Sequence, residues 1–220
     1  MSSETPHAPA SFALSPPPLA LRLANAQRSL TEMLVRVAEP SPEAEARAEE
    51  ALRALAALES ALAPAALHDA TPRLAPEPRT QRPYYVRGVV MPDHHPTRPE
   101  LELAFADGAT RGRVSFGVTF EGPPGCVHGG YVAHFFDQIL GQHNLWAGIP
   151  ALTASLTVRY RRATPILREL GFVVTHELGA DSAGVQRKVT TRGALSADGI
   201  TFSEAEGLFV VPKGAAWRAS

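Results

Sequence analysis

Between Gly122 and Gly141 the chain passes from a loop punctuated by Gly and Pro into a long, strongly apolar helical run. The segment reads Gly-Pro-Pro-Gly-Cys-Val-His-Gly-Gly-Tyr-Val-Ala-His-Phe-Phe-Asp-Gln-Ile-Leu-Gly. Val132, Phe135, Phe136, Ile139 and Leu140 fall at three- and four-residue steps, the period of one helical face. A helix this apolar has to be enclosed. Asp137 lies among those side chains, where a carboxylate is costly unless it is partnered or used.

The flanking segments have the composition of strands that can enclose it. Tyr84 to Val90 is strand-like, and Pro92 to Pro96 is a loop. Leu101, Leu103 and Phe105 alternate as in a half-buried strand, and Asp107-Gly108 follows as a turn. Arg113 to Phe120 alternates again, with Val114, Phe116, Val118 and Phe120 on one face. After the helix come Leu152–Arg161, Leu170–Glu177, Val185–Gly193 and Thr201–Val211. Ala180-Asp-Ser-Ala-Gly184 and Ala197-Asp-Gly199 separate the last three as hairpin turns. Strands, one central helix and then an antiparallel run point to an α+β fold, with a curled antiparallel sheet around the helix. This domain is expected over 84–212.

The N-terminal part is organised differently. Residues 1–18 are rich in Pro, Ser and Ala and predict disorder. Leu19, Leu23, Ala26, Leu30, Leu34 and Val37 then share one helical face, and Pro40 ends that helix. Ser41-Pro42-Glu43 is a start signal: a capping hydroxyl, Pro at the first helical position and an acid at the positive end of the dipole. The second helix aligns Ala48, Leu52, Leu55, Leu58 and Leu62 and stops at Pro64. Residues 19–63 are expected to form a helical hairpin that docks on the main domain or on a second subunit. Five prolines make 64–83 a linker.

Composition excludes several classes of function. A net charge of -1 supplies no footprint for nucleic acid and no basic face for a membrane. One cysteine, Cys126, cannot form an internal disulfide and fits a reducing compartment. With no apolar run of transmembrane length and no secretory start pattern, the expectation is a soluble cytoplasmic protein. His94-His95 is a loop pair, and His128, His134 and His143 lack the spacing of a metal site, so none is expected. There is no phosphate-binding Gly-Lys-Ser/Thr loop and no nucleophile elbow.

The helix start carries the chemistry. Gly129 and Gly130 permit a sharp turn and close approach of a ligand. The first-turn N–H groups and the helix dipole make an oxyanion or anion site. Asp137 follows Gly130 by close to two turns, on the same face but roughly 10 Å along the axis. One chain's Asp137 and Gly130 are too far apart to grip one small reacting group, and a second subunit can supply the missing half. The residues alone leave plainer readings open. His128 can simply hydrogen-bond nearby backbone, Asp137 can be an exposed residue or pair with His134 one turn back, and Cys126 can be packed and inert.

The sequence resembles the hotdog-fold acyl-CoA thioesterases. His-Gly-Gly, an aliphatic helix with Asp nine residues after the His, and the strand Leu-Thr-Ala-Ser-Leu-Thr-Val-Arg-Tyr-Arg-Arg-Ala-Thr-Pro carry the likeness over about residues 84–212. It is nearest to the PaaI-like and THEM-type members of the 4-hydroxybenzoyl-CoA thioesterase superfamily. The resemblance implies that the N–H of Gly129 or Gly130 polarises the thioester carbonyl and that His128 positions that turn. It makes Asp137 the general base or the nucleophile, and has Thr153 hold the water or the carboxylate. It places Arg159, Arg161 and Arg162 against coenzyme A phosphates, where guanidinium groups fit. Phe136, with Phe135 and Trp146, is a candidate lining for the acyl chain. It implies an acyl-CoA substrate, no separate cofactor, and a homodimer or dimer of dimers in which the two halves of each site come from opposite subunits. Glu121 has no family role, and Arg-Arg-Ala-Thr-Pro replaces the more usual Arg-Pro. The alternative is a hotdog module that binds acyl-CoA or a partner protein without turnover.

Overall fold

The computed structural model describes residues 18–65, 98–180 and 186–212. Helix α1 spans Pro18–Leu34 and α2 spans Pro42–Leu62, followed by a 3-10 turn at Ala63–Ala65. Strands β1 (Glu100–Ala106) and β2 (Ala109–Ser115) lead through a 3-10 turn at Val118–Phe120 to α3 (Gly129–Trp146). Strands β3 (Leu152–Tyr160), β4 (Glu169–Ala180), β5 (Gln186–Ala197) and β6 (Ile200–Val210) follow. They form one antiparallel sheet in the order β1-β2-β4-β5-β6-β3. The expected strand over Tyr84–Val90, the disordered N-terminus, most of the linker and the turn before β5 lie outside the described residues.

The sheet is built around α3. Val132, Phe135, Phe136, Ile139 and Leu140 are buried on it, against Val174, Val189, Leu195 and Phe209 from the strands. The sheet comes close because glycines face the helix. A Cβ at Gly207 would stand 2.5 Å from the Phe209 ring and 3.2 Å from Leu140, and one at Gly193 would stand 3.2 Å from Leu140. Asp107-Gly108 and Asp198-Gly199 turn β1 into β2 and β5 into β6, all four with positive φ, as a two-residue hairpin turn requires.

Two expectations need correcting. The alternation from Arg113 to Phe120 is not one strand. β2 ends at Ser115, and Val118–Phe120 is a 3-10 turn that still buries Phe120. Edge-to-face contacts of Phe120 with Phe116 (5.5 Å) and Tyr131 (5.1 Å) hold it there.

The N-terminal helices start where the sequence signals place them, but they do not pack along each other as a hairpin. Ser41 caps α2, its Oγ accepting the Ala44 N–H at 3.2 Å, with Pro42 in the first turn. The α1 stripe of Leu19, Leu23, Leu30, Leu34 and Val37 faces solvent. The opposite side of α1 docks, burying Ala24. Glu32 fixes it, accepting hydrogen bonds from the Val118 N–H at 3.2 Å and the Thr119 hydroxyl at 2.8 Å. A carboxylate at the start of a 3-10 turn satisfies donors that have no partner in the turn itself.

Candidate active site

The loop into α3 is closed by its own backbone. The His128 N–H donates to Phe120 O and the Gly122 N–H to Cys126 O, both at 2.8 Å. Glu121 accepts the Gly125 N–H at 2.5 Å, which makes it a brace for the Pro-Pro-Gly turn. Gly122 is required there, since a Cβ would lie 2.8 Å from the His128 Cα.

His128 is the N-cap of α3, with backbone φ −59° and ψ 132°. Its Nδ1 accepts the Gly130 N–H at 3.0 Å. The Gly130 donor is thereby satisfied. The Gly129 N–H, at the first helical position, has no acceptor among the described residues. A first-turn N–H of this kind can donate to an external acceptor. The Tyr160 hydroxyl donates to the Gly129 carbonyl at 2.8 Å, so it and His128 hold the two ends of the Gly129–Gly130 peptide, next to the one that carries the Gly129 N–H.

Asp137 is half-buried two turns further along. The Thr153 hydroxyl donates to its Oδ1 at 2.9 Å. His134 is exposed, and among the described residues Thr153 is the carboxylate's hydrogen-bond partner.

Strand alternation alone would not bring Thr153 there. Leu156, Val158 and Tyr160 face the helix, so an unbroken period of two would turn Thr153 to the opposite side. The register against β6 shifts between Thr153 and Ser155: Thr153 faces Phe209, and Ser155 faces Leu208. The extra residue, Ala154, is a β-bulge, and it re-aims Thr153 at Asp137.

The other expected residues are not gathered at this point. Arg159 and Arg161 alternate with Val158 and Tyr160 and lie on the sheet's outer face. Arg161 is paired with Glu204 at 2.9 Å. Arg162 is exposed just beyond β3. Phe136 is fully buried, packed on Phe135 with ring centroids 5.8 Å apart, so it is core and lines no open space here. Open space lies instead beside the α3 start. A cleft of about 1000 Å³ under α1 is bounded by Glu32, Met33, Thr119, Phe120 and Tyr131 among others.

A second polar group at the other end of α3 was not singled out from the sequence. His143 is fully buried, its Nδ1 2.9 Å from the Thr110 hydroxyl and its Nε2 2.8 Å from His176 Nδ1. Beside it the Thr191 hydroxyl donates to Asn144 at 2.7 Å. Burial, and secondly the neighbouring His176, push the His143 pKa down to about 4, and burial lowers that of His176. The signal for His143 was its place in the buried stripe, next after Phe136, Ile139 and Leu140. Among the described residues no group of three or more His, Cys, Asp or Glu side chains converges as a metal site would, and no helix is long and apolar enough to cross a membrane.

No protein-family model matches the sequence. Among solved structures, a crystallised thioesterase superfamily protein is 29% identical, with a TM-score of 0.67 over 91% of this chain and all of that one. The E. coli PaaI protein from the phenylacetic acid degradation operon matches 50% of this chain and 82% of its own, at 12% identity and a TM-score of 0.44. Thioesterase superfamily member 2 from Mus musculus matches 51% of this chain and 88% of its own, at 12% identity and a TM-score of 0.45. A curled antiparallel sheet around one central helix is the hotdog fold, and the likeness that spans almost the whole chain is to a thioesterase superfamily protein.

Proposed function

We propose that the protein hydrolyses an acyl-CoA thioester at a site shared between two copies of the chain. The observation that carries this reading is the pairing of Thr153 with Asp137 through a bulge that exists at that point in β3. A half-buried carboxylate held by one hydroxyl keeps its second oxygen for a water.

In the proposed step, Asp137 takes a proton from that water as its oxygen attacks the thioester carbonyl carbon. The Gly129 N–H of the other copy holds the developing oxyanion, with His128 and Tyr160 fixing the adjoining Gly129–Gly130 peptide. The C–S bond then breaks, and the proton passes to the departing thiolate. A general base supplies about 10²–10⁴-fold and an oxyanion donor about 10²–10³-fold. The thioester is already activated, so these two contributions are adequate. Asp137 attacking as the nucleophile is the variant of the same reading.

Two copies are needed because the donor and the carboxylate of one chain stand roughly 10 Å apart along α3. β3 offers the surface for this. It is the last strand of the sheet among the described residues, nine residues long, and an unpaired edge of that length invites another strand. Leu152 on it is 67% exposed. The cleft under α1 opens beside the helix start and gives room for part of the substrate.

The test is thiol release from a panel of short, medium, long and aromatic acyl-CoAs, with wild type and Asp137→Asn side by side. Turnover that collapses by about 10²-fold or more in a folded mutant supports the reading. Equal turnover in both proteins would sink the role of Asp137. No turnover on any member would sink hydrolysis.

A further inference from the structure

The outward faces of α1 and α2 carry a pattern that the site does not use. On α1, Leu19, Leu23, Ala26, Leu30, Met33 and, in the turn that follows, Val37 recur at alternating four- and three-residue steps. On α2, Ala44, Ala48, Ala51, Leu55, Leu58 and Leu62 do the same. This is the seven-residue repeat of a coiled-coil seam. Apart from Met33, which stands at its edge and also borders the cleft, the α1 seam points away from the sheet, because Ala24 and Glu32, which dock the helix, lie on its opposite side. Both seams are open: Leu30 and Met33 are 57% and 53% exposed, Leu55 and Leu62 53% and 49%. α2 buries no residue at all, although most helical stability in proteins comes from packing an apolar face.

The charges beside the seams say which partner fits. One flank of α1 carries Arg22 and, in the hydrogen-bonded turn after it, Arg36; they are two heptads apart. One flank of α2 carries Glu45 and Glu59, also two heptads apart. In a parallel pair these flanks meet, and both Arg–Glu pairs form in a single register, with Leu30 opposite Ala48. In an antiparallel pair the arginine flank meets Arg47, Ala54 and Ala61 instead, with no acid to face it. One chain cannot make the parallel pair. Its two helices are joined only by residues 35–41, and α1 is about 25 Å long, so helices linked this way run antiparallel.

We propose that α1 of one chain packs parallel on α2 of a second copy, and that twofold symmetry repeats the contact, locking two chains through exchanged helices. This does not rest on the thioesterase reading, and its test uses no substrate. The full chain with Leu30→Cys and Ala48→Cys, in a Cys126→Ser background, is oxidised and run without reductant, and free thiols are counted. The expected result is a covalent dimer. A bond within one chain, as an antiparallel hairpin would give, overturns the proposal, and so does the absence of any bond.

A second pair of variants leaves the seams intact. A chain with Arg22→Glu and Arg36→Glu repels itself, as does one with Glu45→Lys and Glu59→Lys, but the two match each other. Mixed after unfolding and refolding, they should form mixed dimers above the statistical half, read by native mass spectrometry. A statistical mixture, or no dimer at all from chains of normal helicity, overturns the proposal.

Discussion

The two ends of α3 carry polar groups on the same apolar helix and treat them in opposite ways. At the C-terminal end His143 and Asn144 are fully buried and bonded to Thr110, His176 and Thr191 from the sheet. At the N-terminal end His128 and Gly130 are exposed, and the Gly129 N–H has no acceptor among the described residues. The first arrangement ties helix to sheet within one chain through His143 and the Asn144 oxygen, although the Asn144 Nδ2 and the buried Gln142 amide have no partner among the described residues. The second is held in place but left open. On the proposed function, a hydrogen bond removed from the closed end should cost stability, whereas one removed from the open end should cost turnover.

Asp137→Asn should give the largest effect, lowering kcat by about 10²-fold or more while the melting curve stays in place. Asparagine can still accept the Thr153 hydroxyl, so the fold keeps its bond.

The closed end should answer to acid instead. His143 is neutral when folded, with its pKa pushed down from 6.5 to about 4. Above pH 6.5 its imidazole is neutral in both states and pH has no leverage. As pH falls from 6.5 toward 4 the unfolded chain takes up a proton that the folded chain refuses. Stability therefore drops through that window, by up to about 3 kcal/mol. Urea midpoints at several pH values should show the fall in wild type and flatten it in His143→Gln.

Thr153→Val removes one hydrogen bond to a charged group and should lower kcat about 10-fold with little change in melting temperature. Tyr160→Phe removes a neutral bond worth about 1 kcal/mol and should lower kcat only a few-fold. A Tyr160→Phe protein that loses stability instead would move that residue from the open end's account to the closed end's.

The helix start, the Ser41 cap and the hairpin turns at Asp107-Gly108 and Asp198-Gly199 were legible in the sequence, because each rests on local backbone chemistry. The outer strands were legible from alternation, except where Val118 and Phe120 kept the period through a 3-10 turn. Thr153 was reached through resemblance and not through pattern. Period-two reading puts it on the wrong face, and only the pairing with β6 reveals the bulge at Ala154. Tyr160 and the network around His143 were missed because they are tertiary bonds between residues far apart in the chain. Of the two partners expected for the α1 stripe, the main domain is not the one it meets, because hydrophobic period marks a face that some partner covers without saying which, and the anchoring to the domain is done by Glu32.

The central claim is that each site takes Gly129 from one chain and Asp137 from another, and mixing two dead variants tests it most directly. Gly129→Pro deletes the donor at a position where Pro suits a helix, and the extended backbone of His128 suits a residue before Pro. Asp137→Asn deletes the base. Each variant alone should be inactive. Refolded together, half the dimers are mixed and each mixed dimer has one whole site, so about a quarter of wild-type activity should return. Mixed dimers that form and stay inactive would contradict a shared site.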